Sequence, residues 1–223
     1  MNNTMEITNN RVNVSFKKNI YLIIKRIFDI FVGLIGTILL IPISIIIKII
    51  YLFNKDYHSI FYKQVRIGKN GKKFNLYKYR SMVKDADEIL ERTLSDSKEL
   101  RLEWLQNQKL ENDPRITKIG KILRKTSIDE IPQFINLLKG DMSLIGPRPL
   151  IKGELKSHNG DPEIYESVRP GITGWWGCNG RSDTNYKERL KLEYFYVNNM
   201  SLKLDLKVIF KTIKTIIIRE GAK

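Results

Sequence analysis

The longest apolar stretch of the chain covers residues 27–53 and reads IFDIFVGLIGTILLIPISIIIKIIYLF. Asp29 and Lys48 are its only charged residues, and each lies near one end. About 20 apolar residues suffice to cross a bilayer, and a soluble core helix seldom carries so long an apolar run. A cleaved signal peptide does not fit, because the run is too long and lacks a small-residue cleavage site. The pattern therefore predicts membrane insertion over residues 21–54.

Pro42 lies near the middle of this run, where it removes a backbone donor and clashes with the preceding turn. A kinked helix that crosses the bilayer is one interpretation, since membranes tolerate such kinks. Basic residues flank the run on both sides: Lys17, Lys18, Lys25 and Arg26 before its centre, and Lys48, Lys55, Lys63 and Arg66 after it. Under the positive-inside rule both ends then lie on the cytoplasmic side. This favours a re-entrant helix that breaks at Pro42.

The rest of the chain predicts a mainly α fold with a small β-hairpin. Residues 1–20 are polar and lack apolar periodicity, which indicates a loosely ordered N-terminus. Residues 60–82 contain two alternating segments around the turn GKNGKK, the pattern of a hairpin. Residues 83–110 read as a solvated helical stretch. Residues 55–223 are thus predicted to form a domain on the cytoplasmic face of the membrane.

Two further segments, 115–125 and 202–220, place an apolar stripe beside a basic face. Core packing is the usual explanation of such a stripe. Beside a membrane anchor, however, each lysine near anionic lipid adds about 1 kcal/mol of attraction. We therefore favour amphipathic helices seated at the membrane interface.

The composition points to an anionic partner. The chain has 39 Lys+Arg against 24 Asp+Glu, a formal charge of +15. Such an excess suits nucleic acid, an anionic membrane surface or a phosphorylated substrate. The apolar run counts against a nucleic-acid-binding protein, which stays the alternative from another class. With Cys178 as the single cysteine and two histidines, a disulfide framework or a zinc site is improbable.

Two adjacent carboxylates, Asp129 and Glu130, stand in the segment KTSIDEIPQ. Ser127 and Glu130 fit a capping box at the start of a helix, but Pro132 would then occupy the fifth helical position. With Asp129 as the N-cap, Pro132 would occupy the third helical position, where its missing N–H costs the helix little stability. Either register makes the pair an ordinary helix start.

Cations and turns near this pair also suit a phosphate site. Arg124 precedes it, and Arg148 follows within the rigid segment GPRP. Guanidinium groups and backbone donors hold phosphate, while a carboxylate can hold a divalent cation. A carboxylate beside cations is expected to keep a low pKa and to be available as a nucleophile. From spacing alone, a capping role and a catalytic role for this pair are equally supported, and the two roles are compatible.

Five stretches of the chain resemble the bacterial sugar transferases, the monotopic polyprenyl-phosphate phosphoglycosyl transferases of surface-glycan assembly. They are KRIFD at 25–29, QVRIGKNGKKFNLYKYRSM at 64–82, DPRITKIGKILRKTSIDEIPQFINLLKGDMSLIGPRP at 113–149, RPGITGWWGCNGRSD at 169–183 and YFYVNNMSLKLDLKVIFKT at 194–212. Because these stretches are spread along the chain, the resemblance extends over nearly everything from residue 25 to 219. Motifs of this length are specific. Some relatives carry a large multi-span N-terminal extension, and we expect this chain to be a short, catalytic-unit form.

The resemblance implies an enzyme that moves sugar-1-phosphate from a UDP-sugar onto undecaprenyl phosphate and releases UMP. It implies a location at the bacterial inner membrane, with the catalytic domain on the cytoplasmic face. Pro42 matches the proline at which the family's membrane helix breaks, although Ile41 stands where a serine often precedes it. Which UDP-sugar is used, and whether the chain forms a homo-oligomer, stay open; nucleic acid is not an expected partner.

The resemblance also assigns roles to individual residues. Asp129 is the expected nucleophile on the β-phosphate and a ligand of Mg²⁺, and Glu130 is expected to assist it in metal and proton handling. The expected phosphate-binding residues are Arg124, Arg148, Lys78 and Arg80.

Three other features of the segment RPGITGWWGCNGRSD leave alternatives open. Arg181 and Asp183 are candidates for contacts with the nucleotide-sugar, with a loop-bracing ion pair as the equal alternative. Trp175 and Trp176 could stack on a ring or sit at the membrane interface. Cys178 reads as an ordinary loop or buried residue rather than a nucleophile.

Overall fold

A computed structural model describes residues 2–107, 110–180 and 184–218, with side chains except at 2–18, 106–107 and 216–218. Its helices are α1 (Asn2–Phe53), α2 (Ala86–Asp96), α3 (Lys98–Asn107), α4 (Lys118–Lys125), α5 (Gln133–Lys139), α6 (Glu154–Ser157), α7 (Pro162–Tyr165), α8 (Tyr186–Asn198) and α9 (Leu202–Ile218). Its strands are β1 (Phe61–Ile67), β2 (Lys73–Tyr79), β3 (Ser143–Ile145) and β4 (Gly171–Thr173). The predicted mainly α fold with a small hairpin is confirmed.

The long apolar helix α1 contains Pro42 without ending there. The prediction of two helices separated at Pro42 is therefore corrected to one helix that runs through it. Proline lacks a single N–H, so only one hydrogen bond of the ladder is lost and the flanking turns stay helical. Re-entry into the same leaflet stays a prediction. Residues 19–53 of α1 are long and apolar enough to cross a membrane.

The N-terminal part of α1 also differs from expectation. Residues 2–20, predicted to be loosely ordered, are assigned to the same helix. Adding a residue to an existing helix costs far less than nucleating one, so a helix formed by the apolar segment can extend into polar sequence.

The chain divides into two compact units, each discontinuous in sequence. The first comprises Met1–Leu39, Gln64–Leu76 and Gln133–Lys223. The second comprises Leu40–Lys63 and Tyr77–Pro132.

Within the first unit, α1 is fixed by polar contacts to backbone groups. Arg26 donates to the carbonyl oxygens of Leu137 and Leu138 at the end of α5, at 2.7 and 2.9 Å. Asp29 is 2 % exposed and accepts from the backbone N–H of Leu144 at 2.8 Å. A charged residue inside the apolar run is thus explained, because Asp29 binds the start of β3 instead of facing lipid.

The core of the first unit consists of three clusters of buried side chains. They are Leu76, Leu137 and Met142; Ile145, Tyr196 and Val208; and Leu150, Leu155, Tyr165 and Leu190. β3 and β4 pair in parallel, with Ser143 opposite Gly171 and Ile145 opposite Thr173. Sequence analysis did not predict this pair, since strands of three residues carry too few positions to show a period.

The hairpin predicted at residues 60–82 is confirmed as β1 and β2. Its turn holds Asn70 at φ 57° and Gly71 at φ 72°, both in the left-handed region. The predicted turn GKNGKK therefore places asparagine and glycine, the residues that tolerate positive φ best, where that conformation is needed.

Within the second unit, the end of β2 packs on the C-terminal part of α1. The Tyr79 hydroxyl lies 2.7 Å from that of Ser44, and the Tyr51 hydroxyl donates to the Arg80 carbonyl. The predicted helical stretch at residues 83–110 comprises α2 and α3, and α2 has no buried residue. This is the solvated excursion that the sequence indicated.

Candidate active site

The acid pair lies in a tight turn between two helices, and neither predicted register is correct. Helix α4 ends at Lys125, and Ser127 follows with φ 56°, in the left-handed conformation that commonly terminates helices. A single 3₁₀ turn then covers Ile128–Glu130, and Ser127 makes no side-chain capping bond to it. Because Pro132 cannot donate a backbone hydrogen bond, the turn stops before it and α5 starts at Gln133. Asp129 lies inside the turn and is no N-cap.

Lys78, on β2, binds both carboxylates of the turn. Its Nζ lies 2.8 Å from Oε1 of Glu130 and 3.9 Å from Oδ2 of Asp129. Asp129 is buried, with 8 % of its surface exposed, whereas the Glu130 side chain is 37 % exposed. The predicted residues Lys78, Asp129 and Glu130 are therefore brought together in one cluster.

The pKa of Asp129 is raised above its ordinary value, chiefly because burial removes water from the carboxylate. Lys78 and Arg124 lower it, while the charge of Glu130 raises it. The expectation that nearby cations keep this pKa low is therefore wrong. Loss of hydration outweighs the attraction of the two cations, and Lys78 lies 3.9 Å from Oδ2 of Asp129, beyond hydrogen-bond distance.

Arg124 lies in the last turn of α4 with an exposed side chain. Its Nε donates to the hydroxyl of Ser81 at 2.9 Å. Its charge lowers the pKa of both Asp129 and Asp113. The structure therefore places the charge of Arg124 within electrostatic reach of Asp129.

Arg80 has contacts of a different kind. Its Nη2 lies 2.8 Å from both carboxylate oxygens of Asp56, and its Nε donates to the Ser59 carbonyl at 2.8 Å. Its guanidinium lies 4.8 Å from the centre of the Tyr51 ring. These contacts join β2 to the end of α1 and the segment after it, so the geometry favours a structural role for Arg80.

Arg148, in the first unit, is held through its backbone. Its N–H donates to Oε1 of Glu193 at 3.0 Å, and its carbonyl accepts from the Tyr165 hydroxyl at 2.9 Å. Its exposed guanidinium lies 5.9 Å from the centre of the Trp176 ring. The segment between Pro147 and Pro149 is thus fixed on both sides, while the cationic end of Arg148 stays exposed.

The segment after β4 is described in part. Arg181 and Asp183 lie outside the described residues. The Trp176 indole donates to Thr184 at 2.8 Å, and Lys211 lies 5.0 Å from the Trp175 ring centre. Cys178 is half-buried, and burial raises its pKa, which disfavours the reactive thiolate.

A magnesium site has to be judged from the acid pair itself. Among the described residues, no group of three or more Asp, Glu, His or Cys side chains gathers to hold a metal. Mg²⁺ usually takes one or two protein carboxylates and completes its shell with water and substrate phosphates. Asp129 and Glu130, adjacent and oxygen-bearing, fit that mode of binding.

Sequence reasoning missed three residues that shape these sites: Ser81, Asp29 and Glu193. Ser81 contacts Arg124 from 43 positions away, and Glu193 contacts Arg148 from 45. Such separations leave no local signal. Asp29 did have a local signal in the sequence: an acidic residue within an apolar run needs a polar partner in the protein.

Comparison with known proteins connects this arrangement to a group of transferases. Residues 20–219 match the family profile described as "Bacterial sugar transferase". The chain is 42 % identical over 199 residues to the undecaprenyl-phosphate galactose phosphotransferase of Salmonella typhimurium, covering 89 % of this chain and 41 % of that protein. It is 39 % identical over 198 residues to the exopolysaccharide production protein ExoY of Rhizobium meliloti, covering 89 % and 87 %.

A third relative is named for a different sugar. The UDP-N-acetylgalactosamine-undecaprenyl-phosphate N-acetylgalactosaminephosphotransferase of Aeromonas hydrophila is 35 % identical over 210 residues, covering 92 % of this chain and 46 % of that protein. The chain spans about half the length of several of these relatives, whereas it spans most of ExoY.

Proposed function

Because the chain belongs to the bacterial sugar transferase family, we propose that it moves the sugar-1-phosphate of a UDP-sugar onto undecaprenyl phosphate and releases UMP. The observation that carries the proposal is the buried carboxylate of Asp129, set in a tight turn with Lys78 and Arg124 as its cationic neighbours. Phosphoryl transfer depends mainly on positioning and on neutralising charge, which this arrangement supplies.

In the first step an oxygen of Asp129 attacks the β-phosphorus of the UDP-sugar. The bond from that phosphorus to the bridging oxygen breaks, and UMP leaves with the electron pair. The sugar phosphate is then joined to Asp129 as an acyl phosphate. A carboxylate nucleophile divides one displacement into two easier ones.

In the second step an oxygen of undecaprenyl phosphate attacks the same phosphorus. The bond to Asp129 breaks and the carboxylate is regenerated, so the product is an undecaprenyl diphosphate sugar. No proton is gained or lost by Asp129 across the cycle, although the residue has to be ionised before the first step.

The burial that raises the pKa of Asp129 also makes its ionised form a stronger nucleophile in this scheme. A desolvated carboxylate is a stronger nucleophile than a hydrated one, and substrate phosphates draw Lys78 and Arg124 toward the transferring group. Lys78 and Arg124, which lie in the same unit as Asp129, are assigned to phosphate contact. For Arg148, in the other unit, a phosphate-binding role is proposed from the family resemblance and its exposed guanidinium. Glu130 holds Lys78 until the substrate arrives.

Magnesium is proposed as the cofactor, held by oxygens of Asp129 and Glu130. When bound, it supplies positive charge to the diphosphate of the donor. Lys78 supplies part of the same neutralisation from the protein itself.

The enzyme is proposed to work at the inner membrane, with its catalytic residues on the cytoplasmic face. The support is the apolar α1 and the lipid carrier named for two relatives. Nucleotide-sugars are made in the cytoplasm, so the donor site has to open there. The names of the relatives make galactose and N-acetylgalactosamine the first sugars to test, for a surface glycan such as an exopolysaccharide.

The test is UMP release by membranes that contain the protein, supplied with Mg²⁺, undecaprenyl phosphate and a panel of UDP-sugars. We expect release with at least one donor and its loss in Asp129→Asn. Asp87→Asn, at an exposed acid of α2, is the matched control and should be active. Undiminished release by Asp129→Asn would falsify the nucleophile assignment. Salt-sensitive DNA binding without UMP release would instead favour the nucleic-acid alternative.

A further inference from the structure

Ser81, two residues beyond β2, contacts both ends of α4. Its carbonyl accepts from the N–H of Thr117, the N-cap of α4, at 3.1 Å. Its hydroxyl accepts from Nε of Arg124, in the last turn, at 2.9 Å. Ser81 itself is 8 % exposed. One buried residue thus sets the position of the whole helix that leads into the acid turn.

Gly120 makes this contact unusually close. A Cβ added at Gly120 would lie 1.9 Å from the carbonyl oxygen of Ser81, which is backbone and cannot move away cheaply. Gly120 and Arg124 are four residues apart and so lie on the same face of α4. The face that carries Arg124 is therefore pressed against Ser81 at the distance that only glycine allows.

The hydroxyl of Ser81 also fixes the orientation of the Arg124 guanidinium. The group is planar with five N–H donors, so a hydrogen bond at Nε fixes one edge and leaves the Nη1–Nη2 edge for a ligand. Among the described residues, Nη1 and Nη2 of Arg124 have no hydrogen bond or ion pair, while its charge acts on Asp129. That edge is suited to bidentate binding of a phosphate.

We propose that Ser81 is a positioning residue of the transfer reaction: its hydroxyl holds Arg124 so that the Nη1–Nη2 edge receives the diphosphate that Asp129 attacks. Ser81 does not touch the substrate and acts through Arg124. The proposal rests on the proposed function for the identity of the phosphate, and on the described contacts for the geometry.

The hydroxyl and the carbonyl of Ser81 can be tested separately. Ser81→Ala removes the hydroxyl bond to Arg124 but keeps the carbonyl bond to Thr117 and the close approach of Gly120. A purely structural role of Ser81 predicts that this variant melts at a lower temperature and binds ligand normally once folded. A positioning role predicts weaker phosphate binding by the folded variant, whether or not its melting temperature changes.

The experiment compares wild type, Ser81→Ala, Arg124→Ala and the double variant, each purified in detergent. UDP binding is measured by calorimetry, and UMP release gives kcat and KM for the donor. We expect Ser81→Ala to lower kcat/KM and UDP affinity about 10-fold, which corresponds to about 1.4 kcal/mol of lost phosphate binding. Ser81→Thr, which keeps a hydroxyl, should recover most of both.

The double variant is the decisive measurement. If Ser81 acts through Arg124, the double variant should have the same UDP affinity and kcat/KM as Arg124→Ala, because no guanidinium is left for the hydroxyl to orient. The proposal would be overturned if the losses of UDP affinity in the two single variants multiplied in full in the double variant. It would also be overturned if Ser81→Ala bound UDP at wild-type affinity, or if the wild type did not bind UDP. Ser95→Ala, at an exposed serine of α2, is the control.

The two proposals can fail separately. Absence of UMP release with every donor, alongside UDP binding that weakens non-additively in these variants, would reject the proposed function and retain the role of Ser81. Normal UMP release that disappears in Asp129→Asn but not in Ser81→Ala would retain the proposed function and reject the positioning role of Ser81.

Discussion

The Nζ of Lys78 lies 2.8 Å from Oε1 of Glu130 and 3.9 Å from Oδ2 of Asp129. One cation therefore serves both acids, with a hydrogen bond to the more exposed acid and a longer contact to the buried one. Since the attraction between charges falls with distance, Lys78 offsets only part of the desolvation of Asp129. The pKa of Asp129 is thus raised before any substrate binds.

This asymmetry predicts opposite pH shifts in two variants. Lys78→Met should raise the pKa of Asp129, and Glu130→Gln should lower it, because each removes a charge that acts on Asp129. The nucleophile is active when ionised, so the acidic limb of kcat/KM should move to higher pH in Lys78→Met and to lower pH in Glu130→Gln. UMP release over a pH series measures both limbs.

The control for these shifts is Lys84→Met, which removes an exposed lysine of the same unit. Its acidic limb should coincide with that of wild type. Movement of Lys78→Met and Glu130→Gln in the same direction would contradict the assignment of the limb to Asp129.

Glu193 predicts a pH-dependent stability. The carboxyl is 1 % exposed, and burial raises its pKa from 4.5 to about 7. Between these values the unfolded chain has already lost the proton that the folded protein keeps, so stability falls as pH rises through this window. At 1.36 kcal/mol per unit, the loss is about 3 kcal/mol above pH 7.

Glu193→Gln should remove most of this dependence and still accept the N–H of Arg148 through its amide oxygen. The melting temperature in detergent, measured from about pH 5 to about pH 8, should fall steeply in wild type and less in the variant. Glu163→Gln, at an exposed acid of the same unit, should keep the wild-type slope. Equal slopes in wild type and Glu193→Gln would show that Glu193 does not titrate in this window.

The backbone geometry predicts opposite stability changes at two polar residues that flank α4, Thr117 before it and Ser127 after it. Ser127 adopts φ 56° and caps no helix, so Ser127→Gly should stabilise the protein by about 1 kcal/mol through relief of the left-handed strain. Thr117 is a true N-cap that accepts from Gly120 N–H at 2.9 Å, and Thr117→Ala should cost about 1 kcal/mol. Chemical denaturation measures both, and a loss in Ser127→Gly would instead support the capping box.

The membrane topology can be tested at the two ends of the apolar run. In a Cys178→Ser background, cysteines introduced at Asn19 and Asn54 should react with an impermeant maleimide from the same side if α1 re-enters. Both should be protected in intact spheroplasts and labelled in inverted membranes. Labelling of the two sites from opposite sides would establish a helix that crosses the bilayer.

The sequence predicted the elements whose signals are long or local. The apolar run of α1 is recognisable by its length alone, and the alternating segments of β1 and β2 repeat a period of two residues. The turn at Asn70 and Gly71 was predicted from its residue types, because asparagine and glycine tolerate the positive φ that the turn requires.

Other features depended on contacts that no local pattern records. Lys78 and Glu130 are 52 positions apart, so their contact follows from tertiary packing within the second unit. Burial of Asp129 reversed the predicted direction of its pKa, since the depth of a residue is set by distant elements. The helix register around Pro132, by contrast, was within reach: a proline without an N–H favours a stop before it and a new start after it.

The contacts of Arg26 and Asp29 have a consequence for divergence within such sequences. Arg26 binds two carbonyls and Asp29 binds a backbone N–H, so these contacts do not depend on which side chains residues 137, 138 and 144 carry. These three backbone contacts are therefore kept when the side chains at residues 137, 138 and 144 change. Leu137 and Leu138 are constrained in a different way, because their side chains pack against Gly33 of α1.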